Sequence, residues 1–385
     1  MGTGSIFQTT RRIVMGAGAL ARAAEEVRGM GGKRVLVVTD PGLAGTGMVD
    51  RLEEQFRKAR IACERFADVE ADPSYETAVR AGESLRAFRA DAIVGIGGGS
   101  AQDVAKVASI LATNPGEVSS LFGIDLVPKP GLKLMLIPTT AGTGSEVTPI
   151  AILSDHHEKL KKGIVSPHLF PSVALLDPEL TLGLPPHITA ATGMDALIHA
   201  VEAYTSRNAT PVTDMLALQA IRLVHGNIRT AYANGADIKA RSDMMEGSML
   251  AGMAFANAGV TAVHAFAYPI GAEYHIPHGV ANSIMLVPVM EFNMLGNLPK
   301  FAYLAGVLGE NVVGLSQREA ALKAVEALRV LTQDLRVPAR LSGFGVRDEN
   351  IPDLAKGVMK VTRLLANNPR QLQAQDAEAI YRRVL

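Results

Sequence analysis

The chain has 385 residues, 48% of them hydrophobic and 20% charged, the profile of a globular protein too long for one core. Lys+Arg and Asp+Glu are both 38, so the net charge is zero and nothing electrostatic argues for nucleic acid or an anionic membrane as partner. No apolar run reaches the roughly 20 residues of a membrane span, no charged start leads into an apolar stretch, and Cys63 is the single cysteine, so a cytoplasmic location is expected.

In chain order, residues 33–39 (Lys-Arg-Val-Leu-Val-Val-Thr) read as a buried parallel strand closing on Asp40-Pro41-Gly42. Residues 48–59 have an amphipathic helical period, 61–66 a strand pattern, 75–88 a helical period, and 92–96 and 134–137 are further apolar strands. Strands and helices alternating at this spacing predict a parallel α/β sheet with helices on both faces. After Asp177-Pro178 the character changes. Leu184-Pro185-Pro186-His187 is a breaker cluster, and helical periodicity then runs almost to the end, with Thr189 as the expected N-cap of the first long helix. The fold expected is a Rossmann-like α/β domain over 1–183 and an all-helical domain over 184–385. A ligand of such a pair would sit at the carboxyl ends of the parallel strands.

Gly95-Ile96-Gly97-Gly98-Gly99-Ser100 follows a strand and opens a helix. Glycines there let backbone approach a pyrophosphate, and the helix N-terminus supplies free N–H groups. Ser100 with Asp103 resembles a capping box. Ser100 also stands where a full G-x-G-x-x-G would have its third glycine, so a purely structural turn fits this stretch too. Thr139-Thr140-Ala141-Gly142-Thr143-Gly144-Ser145-Glu146 is a second small-residue loop after a strand, able to wrap phosphate, ribose or nicotinamide, or to be an ordinary polar loop. Asp40 could accept from the adenosine ribose and would repel a 2′-phosphate, which favours NAD over NADP; a plain strand-end Asp reads the same way.

Asp195 and His199 share one face of an apolar helical segment at i, i+4 spacing, and His264 and His278 follow in Val-His-Ala-Phe and Ile-Pro-His-Gly. One carboxylate and three imidazoles suit Fe²⁺ or Zn²⁺, although Asp/His at i, i+4 alone could be an ion pair. His156, His157, His168, His187 and His225 read as structural.

Across nearly its whole length the sequence resembles the iron-containing, or group III, metal-dependent alcohol dehydrogenases. The resemblance rests on residues 97–106 (Gly-Gly-Gly-Ser-Ala-Gln-Asp-Val-Ala-Lys), 138–148 (Pro-Thr-Thr-Ala-Gly-Thr-Gly-Ser-Glu-Val-Thr), Asp177-Pro178, Gly193-Met194-Asp195-Ala196 and Ile276-Pro277-His278-Gly279. It implies a dinucleotide-binding domain over 1–183, an all-helical metal-binding domain over 184–385 and a cleft between them. It also implies Asp195, His199, His264 and His278 as metal ligands, and Asp40, Gly97, Gly98, Ser100, Thr139, Thr140 and Thr143 as cofactor contacts, with Gly99 and Asp103 counted in the same turn. Lys161 matches a lysine that reaches the nicotinamide ribose, where the residues alone suggest a solvated charge.

The sequence departs from the family in places. Tyr268 replaces a histidine four residues after the third ligand, and Tyr is a poorer base at neutral pH. Asp72 replaces an Asn. Ile150 or Ala151 stands where diol-oxidising relatives carry an Asn, which points to a more apolar pocket. Phe255 matches an aromatic wall. The expected activity is hydride transfer between NAD(H) and a small primary alcohol or its aldehyde, with the metal as Lewis acid on the substrate oxygen, in a homodimer or larger homo-oligomer. Alternatives are a glycerol-dehydrogenase-like or dehydroquinate-synthase-like enzyme, or a non-catalytic binding protein.

Overall fold

In a computed structural model, residues 4–155 and 160–385 are described; His156 and His157 lie outside them. The chain divides into two compact units, 9–183 and 184–385, and residues 4–8 belong with the second. That segment was expected with the α/β half. Its tie is Asn257, whose Oδ1 accepts from Gln8 N at 2.8 Å and whose Nδ2 donates to Gln8 O at 2.9 Å.

The first unit carries nine strands among the described residues: β1 (Ile13–Met15), β2 (Arg34–Val38), β3 (Ala62–Phe66), β4 (Ala92–Gly97), β5 (Gly123–Ile124), β6 (Lys133–Pro138), β7 (Ile150–Asp155), β8 (Leu160–Val165) and β9 (Val173–Leu176). Six form an all-parallel sheet in the order β1-β9-β6-β4-β2-β3. Alternation along the strands sends side chains to two cores. Val35, Val37, Val94 and Ile96 meet Ala23 and Val27 of α1 (Ala23–Gly29) and Leu52 and Phe56 of α3 (Met48–Lys58), which follows the short α2 (Pro41–Ala44). Leu36, Val38 and Ile93 face Ala81 and Leu85 of α4 (Tyr75–Phe88) and Val104 and Ala108 of α5 (Gly99–Leu111). The parallel sheet covered on both faces is as expected.

From β2 the chain moves to β3 on one side, while β4, β6 and β9 follow on the other, so the order switches between β2 and β4. In such sheets ligands bind at the carboxyl ends beside the switch. Asp40, residues 97–100 and residues 139–148 follow β2, β4 and β6 at that edge. The pairs Val38↔Gly95 and Gly97↔Pro138 bring the three ends together. Three features escaped the sequence patterns: β1, β9, and the small sheet β5-β8-β7 with its antiparallel β7/β8 pair.

The second unit is helical: α6 (Pro186–Thr205), α7 (Pro211–Ala233), α8 (Ile238–Ala258), α9 (Ala262–Tyr274), α10 (His278–Asn293), α11 (Leu298–Val307), α12 (Gln317–Asp334), α13 (Ile351–Lys360), α14 (Thr362–Leu365) and α15 (Ala374–Arg382). No single helix among the described residues is long and apolar enough to cross a membrane. Thr189 does not cap α6. The helix starts one turn earlier with Pro186 at its first position, where the missing N–H costs nothing. The Thr189 hydroxyl instead accepts from Arg241 Nη1 at 2.8 Å.

Candidate metal centre and cofactor loops

Asp195 and His199 project from one face of α6, 3% and 5% exposed. His264 sits in the first turn of α9 and is 2% exposed; His278 is the first residue of α10. That end of α10 lies hard against α6, since a Cβ on Gly279 would come within 2.2 Å of Ala191 O. Glycine after His278 thus brings the third imidazole to the helix bearing Asp195.

The four side chains converge. His199 Nε2 and His264 Nε2 are 3.0 Å apart. Asp195 Oδ1 is 3.7 Å from His264 Nε2 and 3.7 Å from His278 Nε2. Ligand-type atoms of Asp195, His199 and His264 all lie within 4.8 Å of one another. Asn282, fully buried one turn after His278, points Nδ2 at Asp195 Oδ1 (2.8 Å), His278 Nε2 (3.1 Å) and His264 Nε2 (3.2 Å), while its Oδ1 has no partner. Acceptors crowding one point, with a weak amide donor and an orphaned carbonyl beside them, fit a divalent cation. Burial opposes charge on Asp195, but His199, His278, His264 and the Asn282 hydrogen bond outweigh it and hold its pKa below the usual carboxylate value. Burial likewise opposes protonation of His264, but Glu202 and Asp195 prevail and raise its pKa.

Phe255 of α8 stacks on His199 with ring centroids 4.3 Å apart and planes 19° apart. The half-buried Tyr268 ring lies 6.3 Å from that of His278, on the same side of α9 as His264. Sequence reasoning missed Glu202 and Asn282. Both had a signal: Glu202 is seven residues after Asp195 in an apolar helix, and Asn282 four after His278.

In the first unit, α5 begins at Gly99 with Gly98 as N-cap and no side-chain cap. The expected Ser100–Asp103 capping box is therefore absent, and the first amides of α5 have no capping side chain. A Cβ on Gly99 would meet Thr143 Cγ2 at 2.7 Å, so that glycine lets the two loops touch; one on Gly98 would meet nothing nearer than Thr140 at 3.9 Å, leaving room for a phosphate to approach. Thr139 N donates to Gly97 O at 3.1 Å, which joins the loops, and Thr143 Oγ1 accepts from Ser145 N at 3.3 Å. Asp40 caps α2 by accepting from Leu43 N at 2.8 Å through Oδ1. Lys161 Nζ donates to Asp72 Oδ1 at 2.6 Å, so the lysine expected at the nicotinamide ribose already meets a carboxylate.

Two adjoining families of sequence match this chain: iron-containing alcohol dehydrogenase over residues 10–178 and the C-terminal part of the Fe-containing alcohol dehydrogenase family over residues 189–385. The chain belongs to the iron-containing alcohol dehydrogenase family. It is 43% identical over 367 residues to a sulfoacetaldehyde reductase of Bilophila wadsworthia, covering 95% of each. Its structure matches that of a 1,3-propanediol oxidoreductase with a TM-score of 0.97, at 40% identity and 100% coverage of both chains. It also matches a sulfoacetaldehyde reductase from Bifidobacterium kashiwanohense in complex with NAD+, with a TM-score of 0.88 at 29% identity, covering 100% of this chain and 99% of that one.

This alcohol dehydrogenase holds its second loop by a buried lysine. Lys106 Nζ donates to Ser145 Oγ (2.8 Å), Thr148 Oγ1 (3.1 Å) and Ile150 O (2.7 Å). Asp103 accepts from Ser145 Oγ at 2.7 Å and Ile152 N at 2.9 Å. Both Asp103 oxygens, expected among the cofactor contacts, are thus engaged by Ser145 and Ile152. Burial lowers Lys106 to about 8 despite Asp103 and Glu146, and raises Glu146 to about 7 against its backbone hydrogen bond and Lys106. Ala151, one of two candidates for the apolar pocket, is instead fully buried in the α4/α5 core.

Proposed function

We propose that this alcohol dehydrogenase interconverts a small primary alcohol and its aldehyde with NAD(H), using Fe²⁺ or Zn²⁺ held by Asp195, His199, His264 and His278. The observation that carries the reading is the convergence of buried Asp195, His199 and His264 in the helical unit, with His278 Nε2 3.7 Å from Asp195 Oδ1. When bound, the metal polarises the substrate oxygen and the nicotinamide exchanges a hydride with the carbinol carbon. The protein's own groups orient and exclude. Phe255 holds the His199 ring by stacking and keeps water from that side. Tyr268 supplies a hydroxyl near His278, a hydrogen-bond donor and a weak base. The amides opening α5 take the pyrophosphate, Thr139, Thr140 and Thr143 line its other side, and Asp40 selects the unphosphorylated ribose. The names of the relatives, which cover propanediol and sulfoacetaldehyde, support the substrate class. A cytoplasmic location and a homo-oligomeric state complete the proposal.

The test is turnover by metal-reconstituted protein, in both directions, on a panel of C2–C4 alcohols and aldehydes with NAD or NADP. Metal-dependent NAD turnover is expected. Turnover unaffected by complete metal removal would contradict the proposal.

A further inference from the structure

Glu202 lies on α6, one turn beyond His199, and is 0% exposed. Burying a carboxylate is costly unless several donors meet it, and among the described residues no lysine or arginine pairs with it. Its partners come instead from three residues at the start of α9, Thr261, Val263 and His264. Oε1 accepts from Thr261 Oγ1 at 2.5 Å and from Val263 N at 2.7 Å; Oε2 lies 2.5 Å from His264 Nδ1. The carboxylate thus sits on the positive end of a helix and touches the ring of a residue in the metal centre.

A neutral imidazole has one N–H and one lone pair, and an ionised carboxylate only accepts. The proton of His264 is therefore held on Nδ1 and the lone pair on Nε2, the nitrogen 3.0 Å from His199 Nε2 and 3.7 Å from Asp195 Oδ1. The opposite tautomer would point a proton at those groups. We infer that Glu202 is a positioning residue that locks the orientation and tautomer of His264 and so sets how tightly the centre holds its metal. This rests on the metal-centre reading above. A merely structural Glu202 would pin α9 to α6 through Thr261 and Val263 and leave the tautomer indifferent.

Glu202→Gln separates the two. The Val263 N–H cannot turn round, so the Gln oxygen must stay on it, and the Gln NH₂ then faces His264 Nδ1 and drives its proton to Nε2. Competition with a chromogenic chelator should show Zn²⁺ bound about 10- to 100-fold more weakly, with NAD⁺ affinity unchanged. Thr261→Val removes a donor to Glu202 without touching His264 and should leave Zn²⁺ affinity within a few-fold. Equal losses in the two variants, or wild-type affinity in Glu202→Gln, would overturn the proposal. Should Glu202→Gln fail to fold, the wild type alone still decides: ¹⁵N-histidine spectra of metal-free protein at pH 9 should show His264 protonated on Nδ1, and a proton on Nε2 would overturn the proposal. A wild type with that tautomer but no measurable Zn²⁺ affinity would instead sink the metal-centre reading.

Discussion

Two carboxylates of the first unit make separable predictions. Burial lifts Glu146 from 4.5 to about 7, so the folded protein holds this proton more tightly than the unfolded chain does. Its contribution is fully present below pH 4.5 and is lost as pH rises towards 7, by roughly 3 kcal/mol at most. Glu146→Gln should therefore gain stability relative to wild type across pH 4.5–7 and run parallel to it above. Urea midpoints of both proteins at each pH read this directly, and a constant difference would refute it. Asp40 is a helix cap as well as a proposed selector of NAD. Asp40→Gly should narrow the kcat/KM preference for NAD over NADP about tenfold, by removing one charge near the 2′ position. Glycine is nearly as good an N-cap, so stability should drop only by a few tenths of a kcal/mol. A wild type without NAD preference would rule out this role. Sequence suggested the proposed ligands because Asp195 and His199 share a helical period and His264 and His278 lie in recognisable motifs. It did not suggest Glu202, because a Glu in a helix usually faces water, although its seven-residue spacing from Asp195 puts it on the same helical face.

At the scale of elements, long periodic segments were legible and short ones were not. Residues 75–88 and 92–97 appear within a residue of expectation because they carry a full amphipathic period and a continuous apolar run. β1 has three residues and β9 four, too few to show alternation, and both exist because β6 offers an open edge for β9 and β9 one for β1. Ser100 and Asp103 have capping-box spacing, yet Gly98 caps α5 and Asp103 turns to Ser145, since the loop after β6 competes for that carboxylate. The clamp from α5 to this loop should matter for cofactor binding. Lys106→Met leaves the half-buried Asp103 without its cation and Ser145, Thr148 and Ile150 O without their shared donor, a loss on the order of 3 kcal/mol, and frees the 143–148 segment. Expected are a lower melting temperature and a KM for NAD raised several-fold, with Zn²⁺ affinity unchanged. An unaltered KM would make Lys106 a support of the sheet alone.

At the scale of the molecule, the two units carry different chemistry. The first presents glycine and threonine loops at the ends of β4 and β6; the second gathers a carboxylate and three imidazoles from α6, α9 and α10, helices whose contributing residues span 195 to 278. Losing one of the proposed ligands should therefore empty the centre and leave the proposed dinucleotide loops intact. The decisive measurement is metal content, NAD⁺ affinity and turnover of His264→Ala beside wild type. A fall of metal occupancy and turnover to a few per cent with unchanged NAD⁺ affinity is the predicted result; wild-type metal content with full turnover would contradict the account.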